Sequence, residues 1–143
     1  SHGVAWADLD RDGDLDLVVG HSRSRCNMNA PNNCYATRQV RLFENQMGTT
    51  SNWIQLDLVG SASNRDAVGA FVRLRAAPGA LEQVRETSRG SNFLSSDEDL
   101  VHFGLGAPSS QGTVARIEVR WPSGQTTVLT DVARNQRHTV VEP

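Results

Sequence analysis

The chain has 143 residues, with 14 Lys and Arg against 16 Asp and Glu and a formal net charge of −2. That length makes one medium domain or two small ones, and the mixed signs exclude a basic nucleic-acid face or a like-charged tail. No apolar run approaches the roughly twenty residues of a membrane span. Ser1 opens the chain without a signal peptide, which points to a processed or excised piece of something longer.

In chain order, Val4 to Trp6 read as a short strand entering the stretch Asp8-Leu9-Asp10-Arg11-Asp12-Gly13-Asp14-Leu15-Asp16, and Leu15 to Gly20 read as the strand leaving it. Carboxylates occupy alternate positions there, and Gly13 sits where the chain must turn sharply. The bland reading is a solvated acidic turn. Against it, the carboxylates repel one another unless neutralised, and Arg11 is the only cation among them. A hard cation such as Ca²⁺ takes six to eight oxygen ligands at about 2.3–2.6 Å, which a tight loop of this kind supplies. Asp8, Asp10 and Asp12 are expected to offer side-chain oxygens, Asp14 its backbone carbonyl, and Asp16 to close the shell. An EF-hand would need a bidentate Glu at loop position twelve, between helices. That position is Val19, in an apolar run that reads as strand, so the expected arrangement is strand-loop-strand.

Cys26 and Cys34 are the only cysteines, in the polar stretch Arg25-Cys26-Asn27-Met28-Asn29-Ala30-Pro31-Asn32-Asn33-Cys34. A disulfide would close this loop and stabilise it by roughly 2.5 kcal/mol on the chain-entropy estimate. The alternative is a pair of free thiols in a cytosolic protein; zinc lacks further ligands at finger-like spacing. Together with the calcium loop, the pair favours an oxidising, extracellular setting. Gln39 to Glu44 then alternates apolar and polar as a half-buried strand, and the polar connector Asn45 to Asn52 holds a boundary, with residues 1–48 on one side and 49–143 on the other.

Gly3-Val4-Ala5-Trp6-Ala7-Asp8 through Asp16-Leu17-Val18-Val19, with Leu42-Phe43-Glu44-Asn45 downstream, resembles an FG-GAP or VCBS repeat, the blade unit of integrin-like β-propellers. The resemblance implies that the Asp-rich loop binds Ca²⁺ between two blade strands. It departs from the family in its cysteine loop, which looks like an insertion, and in offering one repeat where a propeller closes with roughly four to eight blades.

Trp53 to Val59 is a period-two run with Ile54, Leu56 and Leu58 on one face. Gly60 to Asp66 reads as a loop and Ala70 to Arg75 as a strand with Val72 and Leu74 inward and both arginines outward. Pro78-Gly79 turns into Leu81 to Thr87. Arg116 to Trp121 alternates again, Pro122-Ser123-Gly124 turns into Thr126 to Leu129, and His138 to Val141 is a last strand. Short strands with Gly or Pro turns and no helical period predict an all-β fold: one propeller-blade-like unit plus a C-terminal antiparallel β-sandwich. This half resembles the ASPIC/UnbV domain, on Ser63-Asn64-Arg65-Asp66-Ala67-Val68-Gly69-Ala70, Phe93-Leu94-Ser95-Ser96, His102-Phe103-Gly104-Leu105-Gly106 and Ile117-Glu118-Val119-Arg120-Trp121-Pro122-Ser123-Gly124. Cartilage acidic protein-like extracellular proteins share the arrangement of repeats followed by this domain.

Other candidates have plainer readings. Ser95-Ser96-Asp97-Glu98-Asp99 reads as a solvated turn, because its acids are adjacent and diverge in an extended segment. Asn64 and Asp66 suit an Asx-type turn. His2, His21, His102 and His138 lack metal-site spacing, and no nucleophile or phosphate-loop pattern occurs. Trp53 and Trp121 suit core packing better than a sugar platform. The expectation is therefore a non-catalytic, calcium-binding, extracellular structural or adhesive module, part of a larger surface protein or a self-assembling filament. Its partners would be other copies, upstream propeller repeats or an extracellular glycan. A carbohydrate-binding module is the alternative, and a hydrolase accessory domain a weaker one.

Overall fold

The computed structural model describes residues 3–21, 39–46, 50–90, 92, 95–107 and 112–143. Every regular element among them is a strand. In chain order these are β1 (Gly3–Ala7), β2 (Asp16–His21), β3 (Gln39–Phe43), β4 (Asn52–Val59) and β5 (Phe71–Arg75). They are followed by β6 (Glu82–Glu86), β7 (Val101–Gly106), β8 (Thr113–Arg120), β9 (Thr126–Ala133) and β10 (Arg137–Val141). The chain divides into two compact units: residues 1–11, 15–46 and 89–98, and residues 12–14, 47–88 and 99–143. The segment 89–98 thus joins the first unit across the sequence. Cys26 and Cys34 lie outside the described residues, as do Phe93 and Leu94.

The first unit is the antiparallel sheet β1-β2-β3. Register places Val4, Trp6, Leu17 and Val19 on one face, and Leu42 on the opposite face with Ala5 and Val18. None of these apolar side chains is buried; Trp6 is 45% and Leu42 65% exposed. The outer edge of β1 is covered from within the unit. The Val4 amide donates to Ser95 Oγ (3.2 Å), the Trp6 amide to Asp97 Oδ1 (3.0 Å) and the Asp8 amide to Glu98 Oε2 (3.1 Å). The Glu98 amide donates to the Trp6 carbonyl and Ser95 Oγ to the Val4 carbonyl. The acidic block expected as a solvated turn is an edge cap, which satisfies strand groups that would otherwise pair with another chain. The β1 edge is therefore capped by side chains of the 95–98 segment, while β1 and β3 each have β2 as their strand neighbour among the described residues.

The second unit carries two sheets, β10-β4-β7 and β6-β5-β8-β9. Alternation puts Ile54, Leu56 and Leu58 of β4, Val101 and Phe103 of β7 and Val140 of β10 into one core. Val72 and Leu74 of β5 and Val114, Ile117 and Val119 of β8 complete it with Trp121. Trp121 is 1% exposed, and its Nε1 donates to Thr127 Oγ1 at 2.8 Å, so its polar end is satisfied inside. One pairing departs from an all-antiparallel expectation: β10 runs parallel to β4. Parallel neighbours need a long crossover, and here the whole second sheet lies between them in sequence. Phe103 of β7 is a fully buried member of this core. Phe103→Ala should cost about 3–5 kcal/mol in chemical denaturation, the usual loss for a large aromatic cavity.

Candidate metal loop and a buried carboxylate clasp

The loop joining β1 to β2 is closed at its base by the Ala7–Asp16 pair of the hairpin. Within it, one carboxylate oxygen each of Asp8, Asp10 and Asp12 lies within 4.8 Å of the others. Two backbone reversals bring them together. Arg11 has φ 65° and Gly13 φ 97°, and at Gly13 a β-carbon would overlap the Trp53 indole. Only glycine meets both demands. The Asp14 amide donates to Asp12 Oδ1 at 3.0 Å, fixing that carboxylate's rotamer.

The expected set of five is thus divided. Asp8, Asp10 and Asp12 converge, while Asp16 does not belong to the trio. Asp16 is 2% exposed; its Oδ2 accepts from the Leu9 amide and its Oδ1 from the Asn45 amide, both at 2.9 Å. It braces the loop base against the end of β3. Asp14 is buried beside the trio, and Oδ1 of Asp14, like Oδ1 of Asp8, is buried and accepts no hydrogen bond, although both residues are otherwise engaged. Three converging carboxylates with buried acceptor oxygens nearby fit the all-oxygen donor set of a hard cation. Gly13→Ala should therefore disorder the loop: cation affinity, followed by calorimetric titration, should fall at least roughly tenfold while the sheets of the second unit persist.

A further polar centre had no signature in the sequence. Glu142, 3% exposed, follows β10, and its Oε2 accepts from the successive amides of Ser61, Ala62 and Ser63 at 2.8, 2.9 and 2.7 Å. Its Oε1 accepts from Ser63 Oγ at 2.7 Å and Ser123 Oγ at 2.6 Å. Burial opposes ionisation, but the Ser123 hydroxyl, the Ser63 amide and hydroxyl and the Ser61 amide outweigh it, and hold the carboxyl at a pKa of about 2 against 4.5. The neighbouring loop is set by Asn64, which spans four residues in place of the two of an Asx turn: its Oδ1 accepts from the Val68 amide at 2.8 Å and its Nδ2 donates to the Val68 carbonyl at 3.0 Å.

These features define a class: an all-β protein with an acidic strand-loop-strand hairpin in one unit and two sheets on a shared core in the other. The chain belongs to the ASPIC and UnbV family, whose model matches residues 60–143. It is also similar to cartilage acidic protein 1 of Mus musculus and of Homo sapiens, 28% identical to each over 146 residues. Each match covers 98% of this chain, but 19% of the mouse protein and 18% of the human one. The Xenopus tropicalis protein of the same name is 29% identical over 129 residues, covering 86% of this chain and 16% of its own length. The chain spans less than one fifth of the curated relatives it matches.

Proposed function

We propose that this chain is a calcium-binding, extracellular, non-catalytic module with a structural or adhesive role. In this reading the first unit is a VCBS or FG-GAP type propeller blade, and the second an ASPIC/UnbV sandwich. The observation that carries the proposal is the convergence of the Asp8, Asp10 and Asp12 carboxylates in a strand-loop-strand hairpin. Calcium bound there supplies the positive charge that lets the loop hold its turn, with an expected dissociation constant around 10⁻⁴–10⁻³ M, as in extracellular modules. Likeness to cartilage acidic protein 1 supports the extracellular setting, where a Cys26–Cys34 disulfide would persist. The exposed apolar side chains of the first sheet, such as Trp6 and Leu42, suit neighbours, either further blades or other copies in a filament.

Calorimetric titration tests the proposal. Calcium should bind with one site per chain, and Asp10→Ala or Asp12→Ala should remove it; heat-free titration of the native chain at millimolar calcium sinks the reading. In the same material, a non-reduced digest should show the Cys26 and Cys34 peptides linked, whereas free, alkylatable thiols would reverse the compartment. Sedimentation of the calcium-loaded chain should show association, and a stable monomer would remove the filament role.

A further inference from the structure

The outer face of the four-stranded sheet in the second unit has a feature that neither the metal loop nor the core uses. Strand alternation places Phe71, Arg73 and Arg75 of β5 and Arg116, Glu118 and Arg120 of β8 on that face. Glu82, Val84 and Glu86 of β6 lie on one flank and Thr126, Val128 and Thr130 of β9 on the other. Two of the four arginines are occupied. Arg75 pairs with Glu82 at 3.1 Å and Arg116 with Glu118 at 2.9 Å. Among the described residues, Arg73 and Arg120 make no ion pair or side-chain hydrogen bond. They stand on adjacent strands, diagonal to one another, around a hollow of about 320 Å³ lined by Phe71, Arg73, Glu118 and Arg120. Phe71 is 41% exposed there, with Glu86 and Arg120 as its cross-strand neighbours.

We propose that this hollow binds an acidic sugar residue of a polysaccharide, with its anionic substituent on Arg73 and Arg120 and its ring against Phe71. A pyranose ring has an apolar C–H face and, in a uronate or sulfated sugar, a charged group at its rim. The hollow has the matching halves: an exposed aromatic ring, and two guanidinium groups beside it. Guanidinium forks hold carboxylate or sulfate oxygens by paired, charge-assisted hydrogen bonds. The volume lies at the small end of the roughly 300–1,000 Å³ range of ligand pockets, which suits one ring.

The surrounding charges disfavour a densely charged polymer. Glu86 is the cross-strand neighbour of Phe71, and Glu118 that of Arg73. A nucleic acid is held by many phosphate contacts along a basic track, and here acids interrupt any such track. An acidic glycan, with its charges spaced by whole sugar rings, presents one anion to the arginine pair and keeps the next away from the glutamates. This site is independent of the metal loop and of both tryptophans considered for a sugar platform.

The test uses the full chain in saturating calcium, with binding of short oligosaccharides followed by calorimetry or surface resonance. Hyaluronan fragments carry carboxylate alone, heparin fragments add sulfate, and dextran fragments carry neither. Both acidic series should bind, the stronger of the two identifying the anion, and dextran should not. Arg73→Gln with Arg120→Gln should weaken binding by roughly tenfold or more, because hydrogen bonds between charged partners are the strong ones. Phe71→Ala should weaken the oligosaccharides while leaving the weak binding of inorganic sulfate unchanged, which separates the ring contact from the anion contact. Arg137→Gln, on β10, serves as the charge control and should have no effect. All these side chains are exposed, and unchanged melting curves establish that the variants fold. Failure of the acidic fragments to bind, unaltered binding by the double variant, or equal binding of polyglutamate would each overturn the proposal.

Discussion

Chelating calcium should lower the melting temperature of this chain, and Asp10→Ala or Asp12→Ala should abolish that sensitivity. A cation that binds only the folded loop stabilises by mass action, about 2.7 kcal/mol at a hundredfold excess over its dissociation constant. Without it, the trio of Asp8, Asp10 and Asp12 holds mutually repelling charges within 4.8 Å. Asp16→Ala should behave differently. It removes the acceptor for the Leu9 and Asn45 amides, and an amide left buried without an acceptor costs roughly 1–3 kcal/mol whether or not metal is present. Loss of stability that is equal with calcium and with chelator therefore marks the brace, and loss confined to calcium-loaded protein marks a ligand. A wild-type melting curve unmoved by EDTA would refute the metal-loop reading.

The difference between Asp16 and its neighbours shows what a sequence pattern conveys. Alternating aspartates announce a loop rich in oxygen, because spacing along the chain sets which side chains share a side of a turn. Spacing does not tell which carboxylate turns back onto backbone amides, since that depends on where Asn45 arrives after β3. Strands followed the same division. β4, β5 and β8 were legible from period-two apolar runs, and their inward residues form the core. β7 is masked locally by its glycines, although Val101, Phe103 and Leu105 alternate with His102, Gly104 and Gly106. Glycine lowers strand propensity, and its pairing with β4 supplies what the local sequence lacks. The parallel β4–β10 pairing and the edge cap by Ser95, Asp97 and Glu98 are contacts between distant segments. No window on the chain contains them.

Glu142 is the extreme case, because its partners lie some eighty residues away, at Ser61 to Ser63, and its effect should be seen in acid. Its carboxylate collects three amides and two hydroxyls at 2.6–2.9 Å. The folded pKa of about 2 lies below the ordinary 4.5, so the folded chain releases this proton more readily than the unfolded one. The sign follows: the contribution is fully present above about pH 4.5, declines as pH falls, and is gone below about pH 2. Other carboxylates also contribute to acid unfolding, so the informative quantity is the difference between wild type and Glu142→Gln. The amide keeps the size of the side chain but presents an NH₂ where donors already converge. Glu142→Gln should lower stability at neutral pH well beyond Glu82→Gln, which breaks only the exposed ion pair with Arg75. Between pH 4.5 and 2 the gap between wild type and Glu142→Gln should narrow, as wild type loses what the variant already lacks. Urea denaturation in steps across that range measures it. A gap that stays constant with pH would mean that the clasp works by shape and not by charge.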